Sequence, residues 1–537
     1  MPLNRRSLLA VAGAGLAALA SRPASALTMG DIFPEVDTAQ GRLRGMSAGG
    51  VNMFKGIRYG ASTAGKNRFL PPTPPPTWAG VRDAYEYGQV APQMPNSRLN
   101  DYGGLIMFDI QPGGMGEDCL VLNVWTPTLD RNAKRPVLVH IHGGGFYGGS
   151  GNSPGFDGEA LARFGDCVVV TLNHRLGAFG YLDLADQDGD YADSSAAGMT
   201  DIVAALAWVR QNIEGFGGDP SRVLAFGQSG GGAKTSILMA MPSARSLFHR
   251  AGVMSGATLK LATAEQAQRG AAAFLQQLGV AKGDLRALQA LPFEQLLAAQ
   301  ATMEAADRAR GEAPRSFSPA LNGVSLPRDP FSPTAPQISA DVPMIISNVI
   351  DERAYRMNNF NLTEAGLRAF IAKRVGEARA DEVLAMYRKD DPTATPFVLQ
   401  ARFDTDEVFR KPSLIETERK AALPGGAPVW SYLWRSPSPA YGGRYGTPHG
   451  TDVGPSLHDV RGGLNETNPD SLRLADELAS VWVSFAATGD PNNPRIPRWA
   501  PYSVPERTTL VFDHVTHVED DPRGAFRKFW EAEPPRT

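Results

Sequence analysis

The chain has 537 residues, with 53 Lys and Arg against 56 Asp and Glu and a net charge of −3 at pH 7, a balance that lacks the basic surplus of a nucleic-acid or other polyanion binder. Hydrophobic residues at 42% and charged residues at 20% are ordinary globular values, enough for a sizeable core and against wholesale disorder. Glycine (57) and proline (42) together make up about 18% against a usual ~12%, too little for a low-complexity chain but enough to announce many turns and backbone positions that cannot carry a side chain.

The first segment is set apart from the fold. Asn4-Arg5-Arg6-Ser7 precedes a short apolar stretch and then Ala24-Ser25-Ala26, the order of an export signal with its cleavage site. Residues 1–26 are therefore expected to be removed, with 27–537 as a single catalytic domain and the mature protein periplasmic or extracellular. The paired arginines and mild hydrophobicity favour the twin-arginine route. The stretch is too short to span a bilayer, and no later window approaches 18 uninterrupted apolar residues. From there to about Pro95 the chain is rich in Gly and Pro, including PPTPPPTW, which predicts loops and short antiparallel strands at one edge. Continuous apolar runs follow at Val137 to Ile141, Val168 to Leu172, Val223 to Phe226, Ala251 to Met254, Met344 to Ser347 and Val429 to Trp434. Segments of helical period such as DIVAALAWVRQNI and AKTSILMAM separate them, a pattern of strands buried on both faces by crossover helices. The fold class is α/β with a mostly parallel sheet, and residues near 264–306 predict helices inserted between strands. Cys119 and Cys167 are the two cysteines; the apolar run beside Cys167 favours buried free thiols. No CxxC, HExxH or finger spacing occurs, so neither a metal nor another cofactor is implied.

The strand Val223 to Phe226 runs into Gly227-Gln228-Ser229-Gly230-Gly231 and then a helix. A G-x-S-x-G between strand and helix is the nucleophile-elbow arrangement, in which a strained turn exposes the serine hydroxyl and passes too close to its surroundings for side chains two residues either side. About one serine in ninety would meet that pattern by chance in a chain with this much glycine, so the strand and helix around it carry the assignment. Upstream, His142-Gly143-Gly144-Gly145-Phe146 ends another strand run. Three glycines let main-chain N–H groups converge on an oxyanion; a phosphate loop would want a following Lys-Ser/Thr or G-x-G-x-x-G, and neither is present.

Chain order in α/β-hydrolases runs nucleophile, acid, histidine. Of the eight histidines, His140, His142 and His174 precede Ser229, and His249 lies one helix beyond it. His514 and His517 belong to the alternating TLVFDHVTH near the C-terminus, an edge strand with solvated imidazoles. His458 and His449 share a Gly/Pro-rich loop after the Val429 to Trp434 strand, and Pro448 and Gly450 favour His449 as the presented ring. For the acid, the strand at Met344 ends in Asp351-Glu352, at the carboxyl end of the sheet where sites gather. Spacing does not choose between those two carboxylates.

The chain resembles the type-B carboxylesterase family, which includes the cholinesterases, through FKGIRYG, RFLPP, WAGVRDA, EDCLVLNVWTP, HGGGF, NHRLGAFGYL, WVRQNIEGFGGDPSRVLAFGQSGG, SPALNGVSLP and TGDPNNP in order. The resemblance implies an α/β-hydrolase fold and serine ester hydrolysis of a small-molecule ester. By position it implies Ser229 as nucleophile, Glu352 as acid, His449 as base, and Gly144, Gly145 and Gly230 as oxyanion-hole donors. This chain departs from the family in Gln228, where Glu is usual, in Gly230, where Ala is usual, and in Ala91, where a cysteine commonly pairs with the one matching Cys119. The first departure disfavours cationic substrates such as choline esters, and the third removes the bridge. An interfacial lipase and a non-catalytic binding module are the rival readings; the latter typically loses a triad residue, and this chain keeps all three.

Overall fold

In the computed structural model, residues 32–95, 102–108, 111–311 and 317–534 are described; the export segment expected at 1–26 lies outside them. The aliphatic runs become strands where both neighbours are strands too. In chain order these are β1 (Glu35–Asp37), β2 (Arg42–Arg44), β3 (Met46–Ala48), β4 (Val51–Arg58), β5 (Val81–Asp83), β6 (Val121–Thr126) and β7 (Arg135–Ile141), then β8 (Val168–Leu172), β9 (Gly218–Gln228), β10 (Arg250–Met254), β11 (Met344–Val349), β12 (Val429–Trp434), β13 (Thr508–Phe512) and β14 (His517–Asp520). Eleven of them form one sheet in the order β14-β13-β12-β11-β10-β9-β7-β8-β6-β4-β3. The pairs from β8 through β7 and β9 to β13 are parallel, and the flanks, β3 to β8 and β13 to β14, are antiparallel. The glycine- and proline-rich N-terminal region supplies the flanking strands β3 and β4 and a three-stranded sheet of β1, β2 and β5. In that small sheet β2 pairs with β5 in parallel, an exception to the antiparallel expectation.

Alternation along the central strands sends side chains to two different cores. Val137, Val139 and Ile141 of β7, with Val168 and Val170 of β8, pack on one face against Ile202, Leu206 and Val209 of the helix Ala197–Asn212. Leu138, Val169, Leu224 and Phe226 pack on the other against Leu478, Trp482 and Phe485 of the helix Pro469–Thr488. Burial on both faces explains why these strands are apolar at nearly every position instead of every second one, with His140 and Thr171 as buried polar exceptions. The inserted region forms helices Ala264–Leu278, Leu285–Ala290 and Phe293–Ala309, the first begun by a capping box between Thr263 and Gln266. Cys119 and Cys167 are both buried free thiols.

One element differs from its prediction. The TLVFDHVTH stretch is two strands, not one edge strand: β13 is parallel to β12, and the chain turns at 513–516 to return as β14. The alternation runs through the turn because Val515 is 69% exposed while Thr516 is buried, so periodicity alone does not register the reversal. His514 and His517 are on the outside with exposed side chains, bonded to Asp470 and to the Val515 carbonyl.

Candidate active site

The carboxyl ends of β7, β9, β11 and β12 share one edge of the sheet, with β10 between β9 and β11, and the loops leaving them bring the candidate residues together. Ser229 follows β9 and precedes the helix Gly230–Leu238, with φ 57° and ψ −123°, a conformation that costs a non-glycine residue on the order of 1–3 kcal/mol. The surroundings over-determine it. Its N–H donates to the Met254 carbonyl at 2.8 Å, and its carbonyl accepts from Ala233 N–H at 2.9 Å. A Cβ at Gly227 would lie 2.3 Å from the Ile141 carbonyl oxygen, and one at Gly231 would lie 2.0 Å from it. The two outer glycines thus let the elbow cross the end of β7, and the serine is left partly exposed between them.

The two carboxylates that spacing left equivalent have different partners. Glu352 is fully buried and its Oε2 accepts from His449 Nδ1 at 2.5 Å, while Oε1 accepts from Val349 N–H at 3.0 Å. Asp351 pairs with Arg402 Nε at 2.8 Å and accepts from Thr447 N–H at 3.0 Å, so it ties the histidine loop to the end of β11. His449 is 4% exposed. Tyr355 stacks on its ring at a centroid distance of 4.7 Å, Phe409 lies at 5.2 Å, and the Tyr102 hydroxyl donates to its carbonyl. His458 is elsewhere, stacked on Phe164 and bonded to Asp476 at 2.8 Å.

With its Nδ1 proton donated to Glu352, His449 presents a lone pair at Nε2. That lone pair accepts from the Gln228 amide at 3.0 Å. Among the described residues no hydrogen bond joins Ser229 Oγ to His449, so the structure brings acid and histidine together and seats the serine one residue away from the histidine's present partner.

The glycine loop curls over the elbow. Gly144 and Gly145 have φ of 88° and 62°, which only glycine adopts without strain. A Cβ on Gly144 would meet the Gly148 carbonyl oxygen at 2.3 Å, and one on Gly230 would meet the Gly145 carbonyl oxygen at 2.3 Å and its nitrogen at 2.5 Å. Among the described residues, the N–H groups of Gly144, Gly145 and Gly230 donate to no acceptor.

Residues 33–530 match the carboxylesterase family. The chain belongs to that family. It is 34% identical over 503 residues to the para-nitrobenzyl esterase of Bacillus subtilis (strain 168), covering 92% of this chain and 97% of that one. It is 31% identical over 475 residues to the fumonisin B1 esterase of Sphingopyxis macrogoltabida, covering 86% and 83%. Among solved structures, an esterase from Clostridium hathewayi that can hydrolyze aliphatic aromatic polyesters matches with a TM-score of 0.81 at 34% identity, over 93% of this chain and 98% of that one. A Geobacillus stearothermophilus carboxylesterase matches with a TM-score of 0.76 at 34% identity, over 92% and 99%. The protein is a carboxylic ester hydrolase with the α/β-hydrolase fold.

Several residues around this carboxylesterase site carry no sequence signal of their own. Tyr102 and Tyr355 reach His449 only through the fold. Asp452, three residues after His449, donates nothing to it; burial and then the charge of Glu352 push its carboxyl up to about 7, and its Oδ2 accepts from the Tyr432 hydroxyl at 2.8 Å. Lys234 could have been noticed as a lone cation in the otherwise small and apolar helix after Ser229. Its side chain is fully buried under the glycine loop.

Proposed function

We propose that the enzyme hydrolyses small carboxylic esters through an acyl-enzyme on Ser229, with His449 as general base and Glu352 as the group that orients it. The observation that carries this reading is the Glu352–His449 hydrogen bond beside a serine held at an elbow. The short contact from Nδ1–H to a buried carboxylate leaves Nε2 as the basic nitrogen, the tautomer that a serine nucleophile requires. Because Nε2 accepts from Gln228 in the free enzyme, the cycle begins with an exchange of partners. The imidazole releases the amide and takes the Ser229 proton as Oγ bonds to the ester carbonyl carbon. The carbonyl oxygen, now anionic, accepts from the N–H groups of Gly144, Gly145 and Gly230, each donor supporting about 3 kcal/mol of barrier lowering. Collapse breaks the bond to the alcohol oxygen, which leaves with the proton from His449. Water, deprotonated by the same nitrogen, then releases the carboxylic acid and restores Ser229.

Replacing Ser229 by Ala is expected to abolish p-nitrophenyl acetate turnover, leaving less than about a thousandth of the native kcat, while circular dichroism and melting stay native; turnover retained in that variant would defeat the reading. Stoichiometric labelling of the native enzyme by a fluorophosphonate separates it from a non-catalytic binding module, and rates that do not jump when the substrate passes its solubility limit separate it from an interfacial lipase.

A further inference from the structure

Lys234 is the fifth residue of the helix that begins at Gly230, and three features make a lysine costly there. Its side chain is completely buried, and burial pushes the ammonium down to about 7. Its helix, Gly230–Leu238, has no acidic residue of its own to accompany the charge. Among the described residues no carboxylate comes within ion-pair distance of it. The titratable groups on the elements around it are His140 of β7, His142 beyond β7 and His174 beyond β8, all held neutral by burial first and by Lys234 second. Glu416, the carboxyl that faces the same helix from the helix Lys411–Ala421, is bonded to Ser236, and burial pushes it up to about 8.

The ammonium nevertheless has a defined place. Its Nζ donates to the His142 carbonyl at 3.0 Å and lies 5.8 Å from the centre of the Phe146 ring. It therefore sits beneath both ends of the loop that carries Gly144 and Gly145. A buried cation is stable when an opposite charge accompanies it, and the negative charge formed at this loop is transient, the tetrahedral oxyanion of the reaction. We propose that Lys234 is a positioning residue of the oxyanion hole, fixing the His142 peptide from below and supplying the counter-charge that the oxyanion lacks in the substrate. This rests on the Ser229 reading above.

Lys234 then stabilises the transition state at the expense of the resting fold, so rate and stability should move in opposite directions. Lys234→Met in the full-length enzyme is expected to lower kcat about tenfold or more with KM held within about twofold, the pattern of an interaction made only in the transition state. An aryl trifluoromethyl ketone, which forms an oxyanionic adduct on the nucleophile, should weaken by a similar factor. At pH 6, where the buried ammonium carries its charge, the variant should melt above the native protein. Lys234→Gln keeps a donor for His142 without the charge, and should lose kcat as the Met variant does. An unchanged kcat in Lys234→Met, a parallel fall of kcat and melting temperature, or native kcat in Lys234→Gln would each overturn the proposal. Fluorophosphonate labelling of Ser229 persists in these variants at a reduced rate, so failure here is distinguishable from failure of the serine mechanism, which Ser229→Ala tests.

Discussion

At Gly230 one methyl group decides how near the 143–145 glycine loop can come. The family usually has alanine after the nucleophile, yet here a Cβ would fall 2.3–2.6 Å from three main-chain atoms of Gly145. Neither side of that contact is the flexible end of a side chain, so one backbone must move. Gly230→Ala is expected to fold but to lose about tenfold or more in kcat as the loop lifts away from the oxyanion position, with steady-state kinetics as the check. Asp351 and Glu352 are adjacent acids at one strand end, and nothing in their local chemistry separates them. They diverge because Arg402, from the helix Pro396–Thr405, claims one and the loop from β12 brings His449 to the other. Gln228 is legible as a departure from the family, but its contact with the basic nitrogen of His449 is visible only in three dimensions.

Between elements, the sheet is held to the helix Ala197–Asn212 by a charge pair with almost no solvent contact. Arg175, just past β8, places Nη2 2.7 Å and Nε 2.8 Å from the two carboxylate oxygens of Asp201, with side chains 1% and 0% exposed. The fork-to-carboxylate geometry also takes in the Arg175 N–H and the Leu70 carbonyl, which joins the N-terminal region to the central sheet. Asp201→Ala leaves the guanidinium buried without its partner, and should destabilise the enzyme by about 3–5 kcal/mol in chemical denaturation. Strand prediction by apolar runs succeeded for β7, β8, β10, β11 and β12 because each is buried on both faces. It missed the β13–β14 reversal because an exposed valine and a buried threonine continue the alternation across the turn.

Over the whole molecule, buried ionisable groups outside the chemistry give the stability its pH dependence. Glu416 accepts from Ser236 Oγ at 2.8 Å and Thr258 N–H at 2.9 Å, and burial raises its carboxyl to about 8. A value raised above that of the unfolded chain, near 4.3, means that its contribution is complete below about pH 4 and is lost as the pH rises through about 8. Lys420 has the opposite sign: burial lowers it to about 8, so its contribution is present in alkali and is lost as the pH falls through that value. Glu416→Gln keeps an acceptor and removes the ionisation. Its melting temperature relative to the native enzyme should therefore rise between pH 5 and pH 8, and scanning calorimetry at the two values is the test. A difference that is flat or falling with pH would show that the carboxyl is not the titrating group.

Local sterics and periodicity impose part of this structure without reference to its tertiary contacts. Strands apolar at every position require cover on both faces, and glycines two residues either side of Ser229 mark an elbow that must cross another strand. Three consecutive glycines at 143–145 allow main-chain donors to converge. These statements need only the chain's own covalent geometry, which is why they could be read before any coordinates. The pairings come from the fold, although family resemblance had already pointed to Glu352 and His449. Glu352 rather than Asp351 meets His449, His458 goes to Asp476, the Gln228 amide contacts Nε2 of His449, and Lys234 lies under the 143–145 glycine loop with no carboxylate within ion-pair distance among the described residues. His458 and Asp476 meet across the turn into the helix Pro469–Thr488; the other three are contacts between segments far apart in the chain, set by the order in which parallel strands are laid side by side, and no local rule of spacing encodes that order.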